Sequence, residues 1–312
     1  NQFINIILIN IILDILNLNI IRRFIYMISF VTSIKLCKYY EDYGERLIDY
    51  IENIKLGCEI ADISYEIIIC EDVCDKNTIF VKDIINEKGD NYLIKHNAKI
   101  IEVKQTYENP IGYNMIEAYA KNAGLYESVG EYVCITNVDI LFNSYFFWYV
   151  KERLKKNRFY RFLQFESYNN INTDYLTPLI KAESNVKRPI NPFLNVTMKQ
   201  SKILQNMKSN DAVVMAMGNK SGDIMLMDRE NWIKIKGFPE NKYWEHSDYV
   251  VCRVVYNNKI PMEVVQEPVK IYTFLPKNTQ PIVRNERNEG EEAPDVEEWN
   301  FSQTYNDKLT CN

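Results

Sequence analysis

Three groups of oxygen-bearing side chains in this chain could do chemistry. Glu71 and Asp72 end the apolar run 65–70, with Asp75 a short loop later. Asn137-Val138-Asp139 ends a second apolar run, 132–136. Glu245 and Asp248 sit together further on, beside Trp244 and His246. An oxygen ligand two residues from a carboxylate at a strand end can hold a divalent cation, leaving other positions to phosphate oxygens or water. A carboxylate such as Asp248 or Glu245 can take a proton from an attacking hydroxyl. Each acid also has a plainer use, because acids near a helix start are stabilised by its dipole and can cap it. In that use Asp139 would cap the helix expected from Ser144.

These residues need a scaffold that gathers strand ends. From Met27 onward short β-type runs alternate with helical periodicity, the pattern of an α/β protein with a mostly parallel sheet and crossover helices. Strands are predicted at 28–33, 65–70, 99–103, 132–136, 159–165, 223–227 and 263–266. Helices are predicted at 39–55, with Leu47, Ile51 and Ile54 on one face, and at 78–87, 112–125, 144–155, 229–235 and 247–257. In such a sheet, ligands bind beyond the carboxyl ends of the strands where strand order switches. The acids after 65–70 and 132–136 both fall at strand ends. Residues 167–210, with Pro178, Pro189 and Pro192, read as a long loop region. Residues 277–312 are acidic and turn-rich and read as a tail or lid.

With 312 residues and a net charge of -5, the chain can bury a sizeable core and lacks the concentrated basic face of a nucleic-acid binder. The basic residues of 151–161 read as the solvated side of a helix. Seven cysteines without paired C-x-x-C units, and only two histidines, argue against structural zinc and for reduced thiols in a cytoplasmic setting. Residues 1–26 form an apolar extension, broken by asparagines and Asp14 within 3–21. Three readings of it stay open: a membrane anchor, a packed amphipathic helix, or a non-native stretch ahead of Met27.

Tyr119-Ala-Lys121-Asn122-Ala-Gly124-Leu125, then Gly130-Glu131-Tyr132 and the strand into Asn137-Val138-Asp139, resembles the core of family 2-like glycosyltransferases of the GT-A (Rossmann-like) fold. The run from Glu66 to Glu71-Asp72 resembles the strand that ends in paired acids there. The run from Asn219 through Gly222-Asp223 and Gly237-Phe238-Pro239-Glu240 to Glu245-His246-Ser247-Asp248 resembles the acceptor-side half. The likeness spans 28–272. It departs at Val73-Cys74, which replaces a Gly-Ser pair, and at Asn137, where an aspartate is commoner. It departs again after 271–276, where a histidine is missing.

The resemblance implies one domain, 27–276, with a nucleotide-sugar half at 27–142 and an acceptor half at 143–276. It implies transfer of a sugar from a nucleotide-diphosphate donor, a UDP-sugar by preference, to a hydroxyl on a glycan, lipid or protein. The transfer would invert the anomeric centre and be assisted by manganese or magnesium. Thr32, Glu71, Asp72, Asn122, Asn137 and Asp139 would meet the donor, with Asp139 and Asn137 holding the metal. Gly222, Asp223, Trp244 and His246 would face the sugar or acceptor, and Asp248, or else Glu245, would be the base. Lys277 or the tail would stand in for the missing histidine. Trp232 could stack on a sugar or fill the core. Two other readings remain. One is a catalytically silent nucleotide- or carbohydrate-binding protein of the same fold, favoured by Asn137 and the missing histidine. The other is a sugar-phosphate nucleotidyltransferase, disfavoured because 32–37 has no glycine to cradle a triphosphate.

Overall fold

The computed structural model describes residues 26–36, 43–73, 79–104, 117–162, 164–167, 196–197, 224–238, 247–265, 269 and 271–274. Gly222, Asp223, Trp244, Glu245, His246, Lys277 and the apolar residues 1–21 lie outside them. The first half supplies β1 (Met27–Ile34), α1 (Tyr43–Ala61), β2 (Ser64–Val73), α2 (Val81–Glu87), α3 (Tyr92–Lys95), β3 (Ala98–Lys104), α4 (Glu117–Glu127), β4 (Tyr132–Asn137) and β5 (Ile140–Phe142). The second half supplies α5 (Ser144–Arg153), β6 (Phe159–Phe162), β7 (Gln164–Ser167), β8 (Val196–Thr197), β9 (Ile224–Asp228), α6 (Arg229–Lys234), α7 (Ser247–Asn257), β10 (Met262–Val265) and β11 (Ile271–Phe274).

Seven of these strands form one sheet in the order β10-β6-β9-β4-β1-β2-β3. Strands β1 to β4 are parallel; β9 runs against both β4 and β6, and β10 runs with β6. This is the mostly parallel, helix-flanked α/β sheet that the alternating pattern predicts. The expected single strand at 159–165 is a correction: β6 joins this sheet, whereas β7 joins a second one, β5-β11-β7-β8. Its partners there, β11 and β8, come from later in the chain. No local apolar pattern contains that information.

Period-two alternation sends successive side chains to opposite faces. Ile28, Phe30 and Ile34 of β1 join Ile67, Ile69 and Cys134 under Leu47, Ile51 and Ile54 of α1 and the α5 phenylalanines Phe146 and Phe147. Val31, Ile68, Val133 and Ile135 line the other face, under Leu125 of α4, Trp232 of α6 and Val251 and Val255 of α7. Helix α4 lies so close that a Cβ on Gly124 would stand 2.4 Å from Val31 Cγ1 and 2.6 Å from Cys70 Sγ. Trp232 is fully buried, stacks on Phe238 and donates its indole N–H to Val133 O at 3.1 Å. It fills the core. The basic stretch also needs correcting, since α5 ends at Arg153 and Arg161 is 0% exposed within β6. Among the described residues no helix is long and apolar enough to cross a membrane, and Cys58, Cys70, Cys134 and Cys252 are buried free thiols.

Candidate functional site

The chain steps from β1 outward to β2 and β3, then returns past β1 to place β4 on its other side. The order switches there, so the carboxyl ends of β1 and β4 open the crevice where ligands of such sheets bind. In that crevice Ser33 stands opposite Asn137, and Ile34 opposite Glu71. Alternation puts Ser33, Asp72 and Asn137 on the face covered by α4 and α7.

The triplet Asn137-Val138-Asp139 is the bend by which the chain leaves one sheet for the other. Asn53 of α1 fixes the far side of that bend, donating to Phe142 O at 3.0 Å and accepting from Phe142 N at 2.8 Å. The cap of α5 is Asn143, whose side chain accepts from Phe146 N. Asp139 is therefore not needed for that task. Strand β11 runs antiparallel to β5 with Thr273 opposite Ile140, so the last described strand ends level with Asp139.

Asp72 is 1% exposed, and Lys35, 14% exposed, reaches it with Nζ 3.2 Å from Oδ2. Neither Lys35 nor Ser33 was assigned to the site from the sequence. Alternation along β1 could have found them, since Ser29, Val31, Ser33 and Lys35 share one face. Thr32 belongs to the other, with Phe30 and Ile34. It is fully buried, and its register partner Thr136 shares a 2.6 Å hydrogen bond with the Tyr50 hydroxyl. Glu71 also points away from Asp72. Its Oε1 accepts from Val81 N at 2.8 Å and anchors the start of α2. Its Oε2 is buried without a hydrogen-bond partner among the described residues. Burial pushes this carboxyl up to about 7, against the opposing pull of the Val81 N–H. The structure thus separates Glu71 and Thr32 from Asp72, Asn137 and Asp139.

Asn122 is buried and makes a reciprocal pair with the backbone of Phe238, donating to its oxygen at 2.9 Å and accepting from its nitrogen at 2.8 Å. It ties α4 to the turn after α6. Asp248 lies in the first turn of α7 and is partly exposed. Because α7 leads back into the start of β10, which is parallel to β6, its first turn lies at the carboxyl end of the sheet. Asp248, Asp72 and Asn137 share that end.

The donor set at the bend is one amide and one carboxylate oxygen. Among the described residues no three His, Cys, Asp or Glu side chains cluster as a cation cage. Two oxygens at a bend fit a hard divalent cation that keeps most of its shell for water and phosphate, and do not form a closed structural site.

Fold and topology define an α/β protein with a crevice at the carboxyl ends of its parallel strands. No family model and no curated protein sequence matches the chain. Among solved structures it is similar to the catalytic domain of Drosophila β1,4-galactosyltransferase 7 in complex with xylobiose, at 11% identity over 82% of this chain and 67% of that one, with a TM-score of 0.40. It is also similar to S. aureus TarS 1-349 in complex with UDP-GlcNAc, at 14% identity and a TM-score of 0.47. The match covers 81% of this chain and spans 60% of that one. A further Drosophila galactosyltransferase structure, at 10% identity over 82% of this chain and 67% of that one, with a TM-score of 0.39, is a complex with manganese, UDP-Gal and xylobiose.

Proposed function

We propose that this chain is a glycosyltransferase that moves a sugar from a nucleotide-diphosphate donor, a UDP-sugar by preference, to a hydroxyl acceptor, with inversion and with help from a divalent cation. The observation that supports it is the gathering of Asp72, Asn137 and Asp139 at one crevice, at the carboxyl ends of β2, β1 and β4. Three ordered sequence elements that resemble family 2-like enzymes supply these residues and Asp248.

In this reading Asp72 and Lys35 present a paired acceptor and donor to the nucleoside, beside the Ser33 hydroxyl. Glu71, Thr32 and Asn122 support the site from behind. Asn137 and Asp139 hold manganese or magnesium, which when bound offsets the charge of the diphosphate leaving group. Asp248, or Glu245 in its place, takes the proton of the acceptor hydroxyl as that oxygen bonds to the anomeric carbon. The bond from that carbon to the diphosphate breaks on the opposite face, so the configuration inverts. Gly222, Asp223, Trp244 and His246 serve the sugar and the acceptor.

Isothermal titration with UDP, GDP and ADP, with and without manganese, tests the donor site. We expect binding of a nucleoside diphosphate that is strengthened by manganese and weakened at least about tenfold, on the order of 1.4 kcal/mol, by Asp139→Ala. Absence of binding by every nucleoside diphosphate overturns the reading. Binding without turnover of any UDP-sugar selects the silent binding protein instead.

A further inference from the structure

Helix α3 has only four residues, and so short a helix is marginal by itself in water. Two buried side chains, Tyr92 and His96, tie it to α1. The Tyr92 hydroxyl donates to Glu52 Oε1 at 2.8 Å, and His96 Nε2 lies 2.9 Å from the same oxygen. The other ring nitrogen, Nδ1, lies 2.7 Å from Tyr92 O. The two rings stack with centroids 4.0 Å apart.

These partners fix the protons. A carbonyl oxygen can only accept, so Nδ1 carries a hydrogen. Glu52 Oε1 already accepts from Tyr92, and a carboxyl is ordinarily a stronger acid than an imidazolium. The proton between Oε1 and Nε2 therefore belongs to the ring, and His96 in this arrangement is an imidazolium. Without that proton, a lone pair on Nε2 would face the lone pairs of a carboxylate.

The contact stands immediately before the sheet resumes. Asn97, in the left-handed region at φ 47°, accepts from Ile67 N at 2.9 Å and donates to Tyr65 O. Ala98 then opens β3 opposite Ile67. Strand β3 is an edge of the seven-stranded sheet, and it pairs along β2 past Asp72 to Val73.

We infer that Glu52 and His96 form a proton-operated clasp, which holds α3 on α1 and fixes the start of β3 only while the imidazole carries both of its protons. Histidine changes charge between about pH 5 and 8, so the clasp is closed at the acid end of that range and opens as pH rises. The other titratable and charged groups on the elements around it are Glu45, Arg46, Asp49 and Lys55 of α1, Lys88 after α2, Tyr92 and Lys95 of α3, and Tyr65 of β2. Burial, with Glu45 adding to it, pushes Asp49 up to about 7, against Lys88 and Arg46. Asp49 thus titrates in the same range and has to be separated from the clasp. The inference is independent of the proposed reaction.

Nitrogen-15 NMR of the His96 ring in the full chain reads the clasp without any substrate. The imidazolium signature should persist to higher pH in the parent than in Glu52→Gln, by about half a pH unit or more. Hydrogen exchange at the Ile67 amide, corrected for its intrinsic pH dependence, reads the consequence. Its protection should fall about tenfold between about pH 6 and 8 in the parent. The fall should survive in Asp49→Asn and be absent from His96→Gln. If His96→Gln does not fold, Glu52→Gln carries the exchange test, because it too should flatten the profile. A His96 ring with a single proton at about pH 6, or a titration unmoved in Glu52→Gln, overturns the inference. So does unchanging protection in the parent, an equal fall in His96→Gln, or a fall that vanishes in Asp49→Asn.

Discussion

Gly130 lies against Ser29 so closely that a Cβ on it would stand 2.5 Å from the serine hydroxyl oxygen and 2.7 Å from the serine nitrogen. The Gly130 N–H donates to Ser29 Oγ at 2.9 Å, and Ser29 donates to Glu66 Oε1 at 2.6 Å. The same Glu66 oxygen accepts from Val129 N at 2.7 Å. This cluster ties together the amino ends of β1, β2 and β4, opposite the crevice. Gly130-Glu131-Tyr132 therefore marks a packing point, although it helped carry the functional resemblance.

Gly130→Ala should accordingly destabilise the fold without touching the ligand site. The clash is with backbone as well as side chain, and two hydrogen bonds are strained, so we expect a loss of about 2–4 kcal/mol. Urea unfolding measures it. The folded fraction should bind nucleoside diphosphate as the parent does; weaker binding at unchanged stability would contradict this.

Stability should fall as pH rises from about 5 to 8. Burial raises the Glu71 carboxyl from 4.5 to about 7. Burial, reinforced by Glu45, raises Asp49 from 3.8 to about 7, with Lys88 and Arg46 opposing. Between the unfolded and folded values the folded chain holds more protons, so its stability is greatest below that window and is lost as pH climbs through it. For the nearly inaccessible Glu71 this amounts to on the order of 3 kcal/mol. Glu71→Gln keeps the acceptor for Val81 N and should flatten the profile, raising the urea midpoint at pH 8. A flat profile in the parent chain would refute the assignment.

Asn137→Asp should strengthen cation dependence at the bend. It exchanges a neutral ligand oxygen for a charged one while leaving the strand register unaltered. Manganese should bind about tenfold more tightly in the presence of UDP, and Asn137→Ala should weaken it. Titration of manganese at fixed UDP reads both. Equal affinities in all three chains would show that residue 137 is not a ligand.

The sheet was legible because its central strands, β1, β2, β4 and β9, are buried on both faces and read as continuous apolar runs. Residues 65–70 and 132–136 fall within β2 and β4 as expected. The second sheet was not legible: β7 and β5 are defined by pairing with β11, more than a hundred residues away. At the crevice the strand ends are legible in the sequence, whereas the face each residue takes follows only from alternation along the strand. Glu71 and Asp72 look like a pair in sequence, yet adjacent residues on a strand point apart, and only Asp72 shares a face with Asn137. The resemblance implies Thr32, but alternation with Phe30 and Ile34 puts it on the face opposite Ser33 and Lys35.

Asn122 distinguishes a strut from a ligand contact. The resemblance implies that it meets the donor, whereas its amide is engaged at both ends by the Phe238 backbone. The Phe238 ring also lies 5.6 Å from the Lys121 ammonium. Asn122→Ala would leave a buried N–H and C=O unsatisfied, costing about 2–4 kcal/mol, and would loosen the turn that leads toward α7. We expect a lower thermal midpoint with UDP affinity changed less than about threefold, or under about 0.7 kcal/mol. A tenfold loss of UDP affinity at unchanged midpoint would instead restore Asn122 to the donor site.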